Sequence, residues 1–203
     1  MTRRETGNAT RSDKVDFVIF GAMKSGTSSL HRILDAHPDV FIPNVEVHYF
    51  DIDDIFQHPD FFVHTPGTWH IPRFGPPDSY RRWYDAFFEE AKAHQLVGED
   101  STTYLASAEA ARRLAVASPS VRIIVMLRDP ASRCYSQYWH MLRTGRAVWD
   151  FERSIQFEPF TYLNRSLYKQ HLETLFAHFP REQVLCLVFE EFIRDLKTAT
   201  RSV

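Results

Sequence analysis

The sequence predicts an α/β fold with three layers, a central parallel sheet flanked by helices on both faces. Short apolar segments typical of strands lie at 16–20, 95–98, 121–127 and 183–189. In the longer ones the apolar residues are continuous rather than alternating, as expected of strands buried on both faces. Segments with helical spacing separate them, at 28–36, 78–94, 107–117, 131–143 and 166–179. Alternating strands and helices favour parallel pairing, because parallel strands are joined through crossover helices.

The N-terminal half begins with the strand at 16–20, which leads into a loop rich in Gly, Ser and Thr at 21–29. The helix that follows has apolar residues at i, i+3 and i+4 spacing and ends before Pro38. Residues 38–80 contain seven prolines, so we expect an irregular segment there. A segment of this length inside a domain is typical of a lid or a binding surface.

The C-terminal half contains the clearest buried strand, at 121–127, which stops at Arg128 and is followed by the helix at 131–143. The strand at 95–98 ends in the same way, at Glu99-Asp100. After the strand at 183–189 a last helix is predicted over 190–197.

The composition indicates one globular domain at 15–203, preceded by a disordered tail at 1–14. The tail is polar and lacks the apolar centre of a secretory signal, so we expect a cytoplasmic protein. The two cysteines lie in apolar stretches, as buried thiols do in a reducing compartment. The apolar runs are much shorter than the roughly 18–20 residues that cross a bilayer, so no membrane-spanning segment is predicted.

The charge pattern indicates that any anion site is local. The net charge of −2 provides no general attraction for nucleic acid or for an anionic membrane, and no nucleic-acid partner is predicted. The histidines His58, His64 and His70 recur every six residues but share no helical face, and no metal site is predicted. The sequence sets no oligomeric state.

The loop at 21–29 has the residues of an anion-binding loop. Gly21 and Gly26 permit a close approach of the backbone, and a helix that starts after the loop presents free N–H groups and the positive end of its dipole. Lys24 contributes a full charge. Hydroxyl groups are contributed by Ser25, Thr27, Ser28 and Ser29. A strand, this loop and a helix in succession predict a site for a phosphate-like group.

Two alternatives fit parts of this pattern. A nucleotide kinase or NTPase would carry G-x-x-x-x-G-K-[ST], and the spacing of Gly21 and Gly26 fits. However, Thr27 stands where that pattern requires lysine, and Lys24 lies two positions before the second glycine. Phosphoryl transfer also needs Mg²⁺ ligands, for which Glu99-Asp100 is the candidate. The other alternative is a non-catalytic nucleotide-binding domain derived from the same fold.

Four segments in order resemble sulfotransferases that use 3′-phosphoadenosine-5′-phosphosulfate (PAPS). The resemblance is to the heparan sulfate 3-O- and N-sulfotransferase branch and its bacterial relatives. The loop at 21–29, with its displaced lysine, is similar to the loop for the 5′-phosphosulfate in that family. The other segments are 35–51 with Glu46-Val-His48, 127–136 with Arg128 and Ser136 eight residues apart, and 164–180 with Tyr168.

The resemblance implies a P-loop-like fold and in-line transfer of a sulfuryl group from PAPS to a hydroxyl or amine, with PAP as the product and no metal required. It places the 5′-phosphosulfate on the loop, where Lys24 also acts in catalysis. The residues that it assigns to the donor are Lys24, Ser25, Gly26, Thr27, Ser28, Ser29, Arg128, Ser136 and Tyr168. An arginine at the carboxyl end of a strand can grip a phosphate with two hydrogen bonds.

On the acceptor side the resemblance makes Glu46 the general base, with His48 as the next candidate. By residue type alone, Glu46 could equally be a solvated loop carboxylate. Heparan-type enzymes usually carry lysine where this chain has Asp100, and a carboxylate there would repel a polysulfated glycan. The sequence therefore favours an uncharged or cationic acceptor, such as a small molecule, a lipid, a simple carbohydrate or a carrier-bound group. Members of this branch continue past the fourth strand, so we expect a domain shortened at its C-terminus.

Overall fold

The computed structural model describes residues 15–70 and 77–196. Its main sheet is built from β1 Phe17–Gly21, β2 Val40–Phe41, β5 Leu96–Asp100, β6 Arg122–Leu127 and β7 Val184–Val188. These strands are all parallel and lie in the order β2-β5-β1-β6-β7. A separate antiparallel hairpin pairs β3 Val63–Thr65 with β4 Thr68–His70.

The helices of the described ranges follow the strands in a regular alternation from β5 onward. They are α1 Thr27–Asp35, α2 Pro77–Ala86, α3 Ala108–Ala117, α4 Pro130–Arg143, α5 Phe151–Phe157, α6 Pro159–Tyr162, α7 Tyr168–Phe176 and α8 Phe189–Arg194. Short 3-10 turns lie at Pro59–Phe61, Tyr104–Ala106, Asn164–Ser166 and Arg181–Gln183. Among these helices, none has both the length and the apolar character that a membrane span needs.

The core lies on both faces of the main sheet. Val18 and Phe20 of β1 pack on one face, in a cluster that also holds buried residues of α2, α3 and α7. Phe17 and Ile19 alternate with them and pack on the other face, where Leu30 of α1 lies. This arrangement explains why the strand segments are continuously apolar, because successive side chains point to opposite faces and both faces are covered.

The predicted three-layer α/β fold is confirmed, but the predicted number of strands was wrong. The sheet has a fifth strand, β2, whose two residues are too few to give a periodic signal. The helix predicted over 78–94 ends at Ala86, because Phe87 and Phe88 bond to the carbonyls three residues back and the chain then turns Phe88 into the core. Helices α5 and α6 were not predicted. The tail at 1–14 and the end of the helix predicted to reach 197 lie outside the described residues.

A carboxylate is buried in this core at Glu99, on β5, with 0% of the residue exposed. Tyr84 donates a hydrogen bond to its Oε2 at 2.7 Å. Tyr104 and Ser101 both donate to its Oε1, at 2.5 and 2.8 Å. Burial raises the pKa of Glu99 to about 7, the nearby charge of Asp51 acts in the same direction, and the three hydroxyls oppose the shift.

Replacing Glu99 with Gln is expected to flatten the pH dependence of the free energy of unfolding. The folded protein holds the Glu99 proton up to about pH 7, whereas the ordinary pKa is 4.5. Its contribution to stability is therefore complete below pH 4.5 and is lost as the pH rises through 7. Between pH 5 and pH 8 the wild type should lose about 2 to 3 kcal/mol relative to Glu99→Gln. Urea unfolding of both proteins measures the difference, and parallel pH profiles would contradict the assignment.

Candidate functional site

The chain leaves β1, β5 and β6 at the same carboxyl edge of the main sheet. The parallel pairing of β1 with β5 and β6 brings together the segments that follow Gly21, Asp100 and Leu127. The first segment is tied directly to β6, because the Ala22 N–H donates to the Met126 carbonyl at 2.8 Å. Ligands of open α/β sheets bind at the carboxyl edge, so a ligand site is expected here.

The loop between β1 and α1 has two residues in an uncommon backbone conformation. Lys24 has a φ of 65° and Gly26 a φ of 90°, both in the left-handed region. The guanidinium of Arg128 donates from Nη1 to the Lys24 carbonyl at 3.2 Å. The same guanidinium lies over the Phe189 ring, 4.8 Å from its centre. The structure thus brings together the loop and the arginine that were predicted to hold two parts of one ligand.

Lys24 is half-buried and lies among other cations. Its pKa is lowered, first by burial and then by the charge of Arg143, and Arg128 acts in the same direction. The charge of Glu46 opposes these effects, so Lys24 lies within electrostatic reach of Glu46. A bound anion would stabilise the ammonium form, because it would compensate the repulsion between these cations.

The hydroxyl residues of the loop divide into a buried and an exposed pair. Ser25 and Thr27 are buried, whereas Ser28 and Ser29 are exposed on the first turn of α1. Tyr168 begins α7 near this loop: burial raises the pKa of its phenol, and Ser25 together with the Arg128 backbone acts in the opposite direction. The role of Tyr168 in donor binding stays a prediction.

Arg128 and Ser136 flank the beginning of α4. Ser136 is half-buried and lies about two turns into the helix. The Arg128 Nε is buried and has no hydrogen-bond partner among the described residues. A buried donor without a partner costs free energy, so this atom is suited to an oxygen of a ligand. That Arg128 and Ser136 share one phosphate stays a prediction.

Glu46 lies against the end of β5 and is not an isolated loop carboxylate. Its Oε2 accepts hydrogen bonds from the Thr102 hydroxyl at 2.8 Å and from the Thr102 N–H at 3.3 Å. His48 Nε2 lies 3.3 Å from the same oxygen. The Glu46 side chain is 38% exposed, so it is both held and accessible. Glu46 and His48, the two predicted candidates for the base, are thus in contact.

His48 is held by a small polar cluster. Its Nδ1 lies 3.0 Å from the Thr103 hydroxyl, and its ring is 4.6 Å from the His58 ring, measured between centres. His58 Nε2 in turn bonds to Asp51 at 2.8 Å, with both groups buried. The pKa of His48 is lowered, chiefly by burial, so its ring is kept neutral at physiological pH.

The ligand atoms of His48, Asp51 and His58 lie within 4.8 Å of one another, a spacing that a metal ion could use. The hydrogen bond between His58 and Asp51, and the contact of His48 with Thr103, account for this grouping without an ion. His64 and His70, the other two histidines that recur every six residues, lie on β3 and β4, and their side chains are not among those that the structure describes.

Asp100 has a partner that the sequence did not predict. Its carboxylate is buried and bonds to His31 Nδ1 on α1 at 3.1 Å. Burial raises the pKa of Asp100, and His31 opposes the shift. The hydrogen bond to Asp100 raises the pKa of His31, against the effect of burial. The carboxylate that was expected to repel a polysulfated acceptor is therefore buried and hydrogen-bonded to His31 inside the protein.

Two buried arginines near the loop were not predicted as site residues. Arg165 is 8% exposed, and its guanidinium contacts the Met23 sulfur of the loop. Burial lowers the pKa of Arg165 to about 10, and the charge of Arg133 adds to the shift. Arg133 is fully buried and donates to Ser166 at 2.6 Å and to the Tyr162 carbonyl. Their only sequence signal is their place inside the segments 127–136 and 164–180.

Comparison with known proteins gives a family match and a group of relatives. Residues 16–203 match the model of the family described as the sulfotransferase family. The heparan sulfate glucosamine 3-O-sulfotransferase 3B1 of Mus musculus is 27% identical over 195 residues, which cover 88% of this chain and 42% of that protein. The chain therefore spans less than half the length of this curated relative.

Solved structures share the fold. A sulfotransferase from Alicyclobacillus acidocaldarius is 32% identical and superposes with a TM-score of 0.75, covering 93% of this chain and 78% of that one. The sulfotransferase domain from the curacin biosynthetic pathway superposes with a TM-score of 0.63 over 92% of this chain and 71% of its own. At 14% identity, the second match supports the fold alone.

Replacing Gly26 with Ala is expected to destabilise the protein more than replacing Gly67 with Ala. Both glycines have a φ of 90°, so the backbone strain of alanine is the same. At Gly26 a Cβ would lie 2.5 Å from Phe189 Cδ2, whereas at Gly67 nothing lies within 4 Å. The clash should cost about 1 to 3 kcal/mol beyond the strain. Urea unfolding of both variants measures this, and equal losses would contradict the packing of the loop on Phe189.

Proposed function

We propose that this chain, which belongs to the sulfotransferase family, transfers a sulfuryl group from PAPS to an acceptor hydroxyl or amine. The observation that carries the proposal is that Arg128 bonds to the backbone of the anion-binding loop while Glu46 lies within electrostatic reach of Lys24 in that loop. A kinase is not favoured. Its candidate Mg²⁺ ligand Glu99 is fully buried, and both of its oxygens accept hydroxyl hydrogen bonds.

The 5′-phosphosulfate of the donor is proposed to lie on the loop at 22–29. The N-terminus of α1 offers free N–H groups and a positive dipole end, and Ser28 and Ser29 offer accessible hydroxyls. Lys24 is proposed to stabilise the charge that grows on the leaving phosphate oxygen. Burial lowers the pKa of Lys24, and the charges of Arg143 and Arg128 add to the shift; an anion at this position would offset that repulsion, which supports the role.

The 3′-phosphate is proposed to bind Arg128 and Ser136. This assignment is supported by the buried Nε of Arg128, which has no hydrogen-bond partner among the described residues. PAPS has two separate anionic groups, and a site with a loop and a second arginine matches that chemistry. A transferred sulfuryl group carries less charge than a γ-phosphate, so we propose that no divalent metal takes part.

In the proposed reaction the acceptor oxygen or nitrogen attacks the sulfur in line with the bond to the 5′-phosphate oxygen. A new bond to sulfur forms, the bond from sulfur to the phosphate oxygen breaks, and PAP leaves with that electron pair. Glu46 takes the proton of the acceptor. Thr102 and His48 both contact Oε2 of Glu46, so we propose that Oε1 is the oxygen that receives the proton. His48, neutral and adjacent, is the second candidate.

The acceptor is proposed to be a small molecule, a lipid, a carbohydrate or a carrier-bound group that presents a hydroxyl or an amine. The repulsion expected from Asp100 does not narrow this range, because that carboxylate is paired with His31. The relative from Mus musculus is named for heparan sulfate glucosamine. That name supports putting carbohydrates first in an acceptor panel.

PAP is expected to raise the melting temperature of the protein in the absence of Mg²⁺, and Lys24→Ala should abolish the shift. The physical reason is that a ligand which binds only the folded state stabilises it, and Lys24 supplies a charge to the anion. Lys169→Ala is the matched control, because Lys169 is exposed and paired with Glu173 on α7. Stabilisation by ATP with Mg²⁺ but not by PAP would contradict the proposal in favour of a kinase.

Transfer of labelled sulfate from PAPS is expected to fall by about 10²- to 10⁴-fold in Glu46→Gln, the usual contribution of a general base. PAP binding should be unchanged, because Glu46 is assigned to the acceptor and not to the donor. Glu173→Gln, on the exposed side of α7, is the control for a generic loss of one carboxylate. Binding of PAP without transfer to any member of a broad acceptor panel would instead identify a non-catalytic nucleotide-binding domain.

A further inference from the structure

The segment that carries Glu46 belongs to no helix or strand and is held by its contacts to the end of β5. We call residues 46–50 the base segment. The Val47 N–H donates to the Asp100 carbonyl at 3.2 Å. The next contacts go to side chains: the His48 N–H donates to the Ser101 hydroxyl at 2.8 Å, and the Phe50 N–H donates to the Tyr104 hydroxyl at 3.1 Å.

Those two hydroxyls donate to one and the same atom. Ser101 and Tyr104 both give their proton to Oε1 of Glu99, at 2.8 and 2.5 Å. A hydroxyl has a single proton, so a hydroxyl that donates to a carboxylate presents its lone pairs to other donors. Glu99 therefore turns both hydroxyls into acceptors, and the acceptors face the amides of His48 and Phe50.

We infer that Glu99 is a positioning residue for the general base, acting through the hydroxyls of Ser101 and Tyr104. The inference rests on the proposed function, in which Glu46 takes the acceptor proton. Glu99 touches neither substrate nor Glu46. It sets the orientation of the two hydroxyl groups that hold the base segment in register with Thr102, and Thr102 holds the Glu46 carboxylate.

The competing explanation is that Glu99 only stabilises the fold. A variant of Tyr84, the third residue bonded to Glu99, distinguishes the two explanations. Tyr84 donates to the other oxygen of Glu99, Oε2, at 2.7 Å. Its hydroxyl bonds to no amide of the base segment, and its ring stacks on Tyr49 with centres 4.3 Å apart. Tyr84→Phe keeps that ring and removes one hydroxyl from the same buried carboxylate. Tyr104→Phe makes the same chemical change but also removes the acceptor of the Phe50 N–H.

The experiment compares Tyr104→Phe, Ser101→Ala and Tyr84→Phe in sulfate transfer, PAP binding and thermal unfolding. We expect Tyr104→Phe and Ser101→Ala each to lower kcat by about 10- to 100-fold, because small displacements of a catalytic group are costly. The PAP dissociation constant should stay within about 3-fold. Tyr84→Phe should lower the melting temperature about as much as Tyr104→Phe does, yet its kcat should stay within about 3-fold of the wild type. Equal losses of kcat in Tyr84→Phe and Tyr104→Phe would overturn the inference.

Two further readouts keep this test apart from the test of the proposed function. Amide hydrogen exchange at His48 and Phe50 reports on the base segment even if no acceptor is turned over. Exchange should accelerate at Phe50 in Tyr104→Phe and at His48 in Ser101→Ala, and neither should change in Tyr84→Phe. Unchanged exchange at both amides would overturn the positioning role, whereas absence of transfer by the wild type would overturn only the proposed function.

The conservative variant Glu99→Gln gives the complementary result. Its amide oxygen can accept both hydroxyls at the place of Oε1, so kcat should remain close to that of the wild type. Glu99→Leu removes the acceptor and should lower kcat with the PAP affinity retained. A loss of kcat in Glu99→Gln as large as in Glu99→Leu would contradict positioning through hydroxyl orientation.

Discussion

Parallel pairing of β1 with both β5 and β6 is the constraint on which the rest of the site depends. This pairing brings the segments that follow β1, β5 and β6 to one edge of the sheet, where they contact one another. A Cβ on Gly21 would lie 2.8 Å from the Thr102 carbonyl oxygen, so the end of β1 touches the segment that holds Glu46. On the other side, Arg128 leaves β6 and bonds to the Lys24 carbonyl. The residues proposed for the donor and for the acceptor are therefore brought together by the pairing of the strands.

The charges at this edge explain how a chain of net charge −2 can attract a polyanion. Burial lowers the pKa of Lys24, and the charges of Arg143 and Arg128 act in the same direction. Arg165 and Arg133 add buried positive charge beneath the loop, and among the described residues neither guanidinium forms an ion pair with a carboxylate. Such a field is costly in the empty protein and favourable with an anion present. Two acidic groups at this edge have hydrogen-bond partners of their own: Asp100 bonds to His31, and Glu99 bonds to three hydroxyls.

Local patterns in the sequence predicted the features that depend on neighbouring residues. The loop with Lys24, the strand that ends at Arg128 and the helix that carries Ser136 are all read from short continuous segments, and the structure has them. Contacts between distant segments were not predictable, because hydroxyl residues such as Ser101 and Thr102 carry no periodic signal. Their partners lie more than 50 positions away, at His48 and Glu46. The same reason explains why the sequence did not predict the hydrogen bond between Asp100 and His31 on α1.

We propose that one edge of the sheet holds two anionic groups of one nucleotide, and a crystal structure of the complex with PAP can decide this. We expect the 5′-phosphate to bind the backbone N–H groups and Lys24 of the loop, and the 3′-phosphate to bind Arg128 and Ser136. In the same complex Oε1 of Glu46 should be free and should face the place of the transferred group. A nucleotide bound elsewhere, or a 3′-phosphate directed away from Arg128, would rule out this arrangement.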